Sequence, residues 1–163
     1  MLFPIPLLAI FTLTTALPST TPSSLFTRQD ACAGDPSASG HCTPLTYNDV
    51  LSSSPSSSSG GATTTDCEST CASVLADAGD WGVDFRGQPA GYVDGMFLSG
   101  CRFGIARATD ADASQFEITV ANQDIVGVIG ESIKRFGGAH EGRVSAEGTM
   151  DCEGHTVRWF VGY

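Results

Sequence analysis

His140, Glu141, Arg143, Glu153 and His155 are the side-chain types that ribonuclease-like hydrolysis uses. A carboxylate or imidazole takes a proton, an imidazole returns one, and a guanidinium clamps phosphate. Their setting argues for something plainer. Both histidines adjoin glycine, in Gly138-Ala139-His140-Glu141-Gly142 and in Gly154-His155, where a solvated loop side chain is the ordinary outcome. They flank the last strand pair, so they meet only if the segment before Arg143 folds back on the turn at Glu153-Gly154. Asp110 with Asp112, and Asp77 with Asp80, are carboxylate pairs of the kind a glycosidase needs. They lie in turn sequences, where Asp bonds its own backbone. Ser99, in Phe97-Leu98-Ser99-Gly100-Cys101, lacks the first glycine of a nucleophile elbow and reads as a turn residue. No catalytic set is assigned from these residues.

Cysteine is the other reactive type. Cys32, Cys42, Cys67, Cys71, Cys101 and Cys152 make six, an even number, and read as three disulfides of a secreted domain. Zinc is the rival use, but Cys67-x-x-x-Cys71 has no matching second pair. No metal or other cofactor is expected. Cys67 and Cys71 sit one helical turn apart with their sulfurs pointing the same way, so each should reach a different segment. The segments carrying Cys101 and Cys152 are the expected partners. Spacing alone does not choose among the connectivities that six cysteines allow.

The elements that must position these residues follow from periodicity. Ile125, Val128, Ile129, Ile133 and Phe136 recur on one face of a helix. Asn122 is placed to cap its start, and Gly137 to end it in the left-handed conformation. Asp124, and Lys134 with Arg135, suit the two ends of its dipole. Gly127 and Gly130 lie inside this helix, where each costs about 1 kcal/mol against alanine. That cost implies a neighbour packed closely on them. Val144, Ala146, Gly148, Met150 and Cys152 alternate, then turn at Glu153-Gly154. Val157, Trp159 and Val161 return, opposite in facing to Thr156, Arg158 and Phe160.

Upstream, Asp66 or Thr65 caps a first helix that Gly79 stops, with Cys67, Cys71, Val74 and Leu75 on one face. Residues 45–51 read as an edge strand, and a short strand is expected around Tyr92–Leu98. Residues 101–107 turn Cys101, Phe103 and Ile105 inward, and residues 115–121 turn Phe116, Ile118 and Val120 inward. These two runs read as a hairpin. The stretch 80–100 is rich in glycine and aromatics. Trp81, Phe85, Arg86 and Tyr92 there are the candidate ligand-binding residues, able to stack and hydrogen-bond. The simpler alternative makes Trp81 and Phe97 core and Arg86–Gly91 a surface loop.

The chain has 163 residues and a net charge of −10, from 8 basic and 18 acidic side chains. Nucleic-acid backbones and anionic membrane surfaces are therefore poor partners. Residues 1–16 form an apolar run closing on Thr14-Thr15-Ala16 and read as a secretory signal. Residues 17–30 read as a spacer or propeptide, with processing after Arg28 as one option. Residues 31–163 are the secreted domain, and no run in them is long and apolar enough to span a membrane. Within it, residues 51–65 are Ser/Thr-rich and read as an exposed loop. The expected fold is α+β: a two-layer sandwich with an antiparallel sheet of about four strands, packed by two helices and stapled by disulfides. The expected state is an extracellular monomer.

Several features recur together in order. Cys32 leads, Asp66-Cys67 opens a helix, and Trp81 follows. Then come Cys101-Arg102-Phe103-Gly104-Ile105, the helix from Asp124-Ile125 through Ser132-Ile133 to Phe136-Gly137, Arg143-Val144, Gly148-Thr149-Met150-Asp151-Cys152 and Trp159. This ordered set resembles the fungal "extracellular protein two" effector family, also called the necrosis-inducing factor domain. The resemblance covers residues 32–163 and is strongest from residue 101 onward. It implies a small secreted effector that acts on a host or competitor surface by binding. Host cell death, virulence or antagonism of other microbes are its implied outcomes. The chain departs from the family pattern by two cysteines, assigned to Cys42 and Cys71. A looser likeness is to the smut-virus killer toxin four, whose basic residues this acidic chain lacks. The alternatives are a small secreted hydrolase such as a ribonuclease, and a wall or carbohydrate-binding structural protein.

Overall fold

A computed structural model describes residues 30–53, 60–77, 79–97 and 100–162. The signal at 1–16, nearly all of the spacer, the serine-rich centre of the 51–65 loop and Ser99 lie outside these residues. Ten strands and two α-helices are described: β1 Cys42–Pro44, β2 Asn48–Asp49, β3 Ala62–Thr63, α1 Thr64–Ala76, β4 Asp80–Asp84, β5 Val93–Phe97, β6 Phe103–Arg107, β7 Glu117–Ala121, α2 Asn122–Ser132, β8 Arg143–Val144, β9 Ala146–Cys152 and β10 His155–Val161. The fold is α+β and every strand pair is antiparallel. The main sheet has six strands, in the order β1-β9-β10-β6-β5 with β2 also on β9. β3–β8 and β4–β7 are separate ribbons.

The final hairpin forms as its alternation requires. Ala146, Gly148, Met150 and Cys152 are buried on β9, and Val157, Trp159 and Val161 on β10, with Trp159 opposite Gly148. Glu153 (φ 55°) and Gly154 (φ 84°) make the turn. A side chain at Gly148 would put Cβ 2.0 Å from the Thr46 carbonyl oxygen and 2.5 Å from the Trp159 ring. The segment from Leu45 to Tyr47 crosses there, with Tyr47 4.9 Å from Trp159, ring centre to ring centre. Gly148→Ala should therefore destabilise by about 1–3 kcal/mol through overpacking. Chemical denaturation checks this, and a midpoint equal to wild type would reject the close contact.

Three expectations about strands are corrected. The sheet has six strands rather than about four. Residues 101–107 and 115–121 do not form a hairpin: β6 lies between β5 and β10, and β7 pairs β4. With β5 and β10 on its two edges, β6 has no free edge for β7, and Arg107 closes the connection by donating to the Ser114 carbonyl. Residues 80–84 form a regular strand despite their glycine and acids, since Trp81 and Val83 turn inward opposite Val120 and Ile118. The 51–65 loop is also shorter than read, because β3 and the start of α1 fall within it.

The helix ends differ too. Thr63 caps α1, accepting from the Asp66 N–H at 3.1 Å and donating to its carboxylate at 2.7 Å. α1 ends at Ala76 rather than Gly79, and Leu75 is exposed while Cys67, Cys71 and Val74 are buried. Ala121, not Asn122, is the cap position of α2, and Asp124 accepts its N–H at 2.9 Å. Asn122 instead accepts from the Trp81 indole (2.6 Å) and donates to the Asp77 carbonyl (2.8 Å). α2 runs into a single π-helical turn, Ile133–Gly137, and the left-handed residues come later, at Glu141 and Gly142. Ile125, Val128 and Ile129 are buried as read, and Ile133 and Phe136 are half-buried against the core. Gly130 packs on Cys32, as a helical glycine should, whereas among the described residues nothing lies within 4 Å of a Cβ built on Gly127. Among the described residues no helix is long and apolar enough to cross a membrane.

Candidate functional site

The four candidate binding residues divide between core and surface. Trp81 and Phe85 turn to the same side of β4 and its continuation. Phe85 is fully buried, against Phe116 (5.0 Å between ring centres) and Tyr92 (6.3 Å). Trp81 is half-buried edge-on to Phe97, with its indole N–H bonded to Asn122. Tyr92 is half-buried. Arg86 turns to the opposite side and is exposed, where it pairs with Asp84 at 2.9 Å and with Glu117. Its own carboxylate bonds hold Asp84 below the usual range: hydrogen bonding from Arg86 outweighs a slight desolvation.

Beneath this segment lies a residue that sequence reading missed. Arg107 closes β6 fully buried, and its guanidinium donates to the carbonyls of Ser114, Pro89, Phe85 and Gln88 at 2.6–2.9 Å. It also lies 5.1 Å from the Phe85 ring centre. The loop carrying Arg86 is thus pinned from below. Extending the inward alternation Cys101, Phe103, Ile105 by one step would have placed Arg107 inside.

The histidines do not converge. His140 bonds Asp49 at 2.6 Å, and Asp49 pairs in register with Ala146 at one end of β9. His155 lies opposite Cys152 at the other end, stacked on Phe116 at 4.3 Å. Six residue steps of β9 separate those ends, about 20 Å at the usual rise. Burial pushes the Asp49 carboxyl up, but bonds from Ser52 and His140 pull it further, to below its usual value. The other carboxylate pairs are also occupied. Asp110 binds Arg158 at 2.7 Å, Asp112 accepts the Ser114 N–H at 2.8 Å, and Asp80 binds His41 at 3.1 Å. His41 is the histidine sequence reading passed over. Its second ring nitrogen faces Glu153 at 3.9 Å. Its partners are remote in sequence, so no local pattern marks it. No group of three or more His, Cys, Asp or Glu side chains is arranged to hold a metal among the described residues.

All six cysteines are bonded, as Cys32–Cys71, Cys42–Cys152 and Cys67–Cys101. Cys67 reaches Cys101 as expected. The expectation that the helix is also tied to the segment carrying Cys152 is corrected: β1 places Cys42 directly opposite Cys152, and the N-terminal segment brings Cys32 onto the helix pair beside Cys71.

No curated protein matches the chain. The family model Hce2, described as "Pathogen effector; putative necrosis-inducing factor", matches residues 41–152. That span starts one residue before Cys42 and ends on Cys152, so Cys32–Cys71 is the bond that reaches outside it. With most of its length matched, the chain belongs to the Hce2 family of pathogen effectors.

Proposed function

We propose that the protein works outside the cell that makes it, as an effector that binds a surface target on a host or a competing microbe. The family match over residues 41–152 carries this reading. Three disulfides suit an oxidising extracellular setting. Of the four candidate ligand residues, Trp81, Arg86 and Tyr92 keep accessible surface, Trp81 on β4 and Arg86 on the loop that Arg107 holds through the carbonyls of Phe85, Gln88 and Pro89. Binding rather than turnover is favoured because His140 and His155 lie at opposite ends of the last hairpin, each with a local partner. The test is to apply the oxidised protein to susceptible host tissue and measure ion leakage against dose. His140→Ala and His155→Ala should act at the wild-type dose, within about threefold.

A second reading, hydrolysis, draws on His41 between Asp80 and Glu153, an arrangement able to hold and pass a proton. His41→Ala decides it. A wild-type response supports the binding reading. A loss of ~100-fold or more, with unchanged thermal unfolding, would move the function to catalysis.

A further inference from the structure

Helix α2 is covered almost all round. From Asn122 to Ser132 every residue is buried or half-buried except Gly127, which is exposed. The segment before β1 crosses one flank. Cys32 packs on Gly130, the Asp35 N–H donates to Gln123 at 3.0 Å, and the His41 N–H donates to Asp124 at 2.9 Å. Glycine inside a helix is unfavourable because it frees the unfolded backbone and packs nothing. At Gly130 the contact with Cys32 explains it. At Gly127 nothing among the described residues does.

The space over Gly127 is a groove of about 510 Å³, within the range of binding clefts. Asp30 and Cys32, Glu68 of α1, and Glu131 and Lys134 line it with Gly127. Three carboxylates thus face one amine. Asp30 accepts the Cys32 N–H at 3.0 Å. Glu131 binds Arg135 at 2.7 Å and Lys134 at 3.6 Å, and these bonds, Arg135's foremost, hold its carboxyl below the usual range. Glu68 makes no ion pair among the described residues. The missing side chain lets another backbone lie directly on the helix.

We propose that this groove docks a basic, extended peptide segment of a protein partner. Its backbone crosses Gly127, and an arginine or lysine side chain reaches Glu68. The proposal deepens the binding reading above and rests on it. A basic segment complements both the rim and a chain of net charge −10. A second copy carries the same net charge and is disfavoured.

The test pans a displayed library of random peptides against the oxidised, secreted protein. Selected peptides are then measured against Gly127→Leu, which fills the groove, and Glu68→Gln. Enriched peptides should carry at least one Arg or Lys, lose affinity by roughly tenfold or more on Gly127→Leu, and weaken on Glu68→Gln. Gly127→Ala should raise the thermal midpoint by roughly 2–6 °C, since no neighbour obstructs it. Peptides that bind wild type and Gly127→Leu alike, or an enriched set without basic residues, would overturn the proposal. So would a lower midpoint for Gly127→Ala, which would reveal an internal partner. Self-association lost in Gly127→Leu would assign the groove to a second copy instead. The tissue response is read separately. Groove-dependent peptide binding without any tissue response would leave this site standing and remove the effector reading.

Discussion

An Arg107→Met protein should unfold roughly 10–20 °C below wild type. Among the described residues the guanidinium forms no ion pair with a carboxylate. Four backbone carbonyls, from two separate loops, accept its hydrogen bonds. Methionine fills comparable space but donates nothing. Each carbonyl left without a partner in the interior costs about 1–3 kcal/mol, and opening the loops to water recovers part of that. A net loss of about 3–5 kcal/mol is the result. Arg107→Lys should fall between, because a compact ammonium with three donors cannot span acceptors spread over two loops. Thermal melts of the oxidised proteins decide it. A midpoint within about 3 °C of wild type for the methionine variant would mean the loops hold themselves.

Removing Cys42–Cys152 by paired serine substitution should cost more than removing either other bridge. The bridge closes a separation of 110 residues, against 39 for Cys32–Cys71 and 34 for Cys67–Cys101. In the chain-entropy view these correspond to about 4.8, 3.9 and 3.8 kcal/mol. The ordering is the firmer expectation, since native-state relaxation shifts each value. The first bridge also ties β1 to β9, so its loss frees an edge strand of only three residues. Denaturation of the three paired variants gives the ranking. Equal losses across all three would show that chain entropy is not what the bridges supply.

What was legible in the sequence had a local period. The α2 face and the β9–β10 alternation survive at almost every position, because each element's own pattern selects its buried side. The caps failed for a local reason as well. Thr63 competes with Thr64, Thr65 and Asp66, and one residue of shift changes which side chain reaches the free N–H. Pairing was not legible. Ile118 and Val120 say that β7 is a strand with a buried side, but nothing in the segment says that β4 lies beside it rather than β6. The same holds for Cys71, whose neighbour is set by where the segment before β1 runs. The partners of His41 lie in remote segments, and those of Arg107 are carbonyl oxygens, which every residue has, so the alternation of β6 marks Arg107 as buried but not what it binds.

The three bridges overlap along the chain. Cys42–Cys152 encloses Cys67–Cys101, and Cys32–Cys71 crosses both. A protease that cuts once anywhere between Cys32 and Cys152 therefore releases nothing. The two pieces stay joined through Cys42–Cys152, or through Cys32–Cys71 when the cut falls before Cys42. Even a nick in the serine-rich loop leaves one particle of unchanged size until a reductant is added. Single cleavage is therefore survivable wherever the protein meets a protease under oxidising conditions.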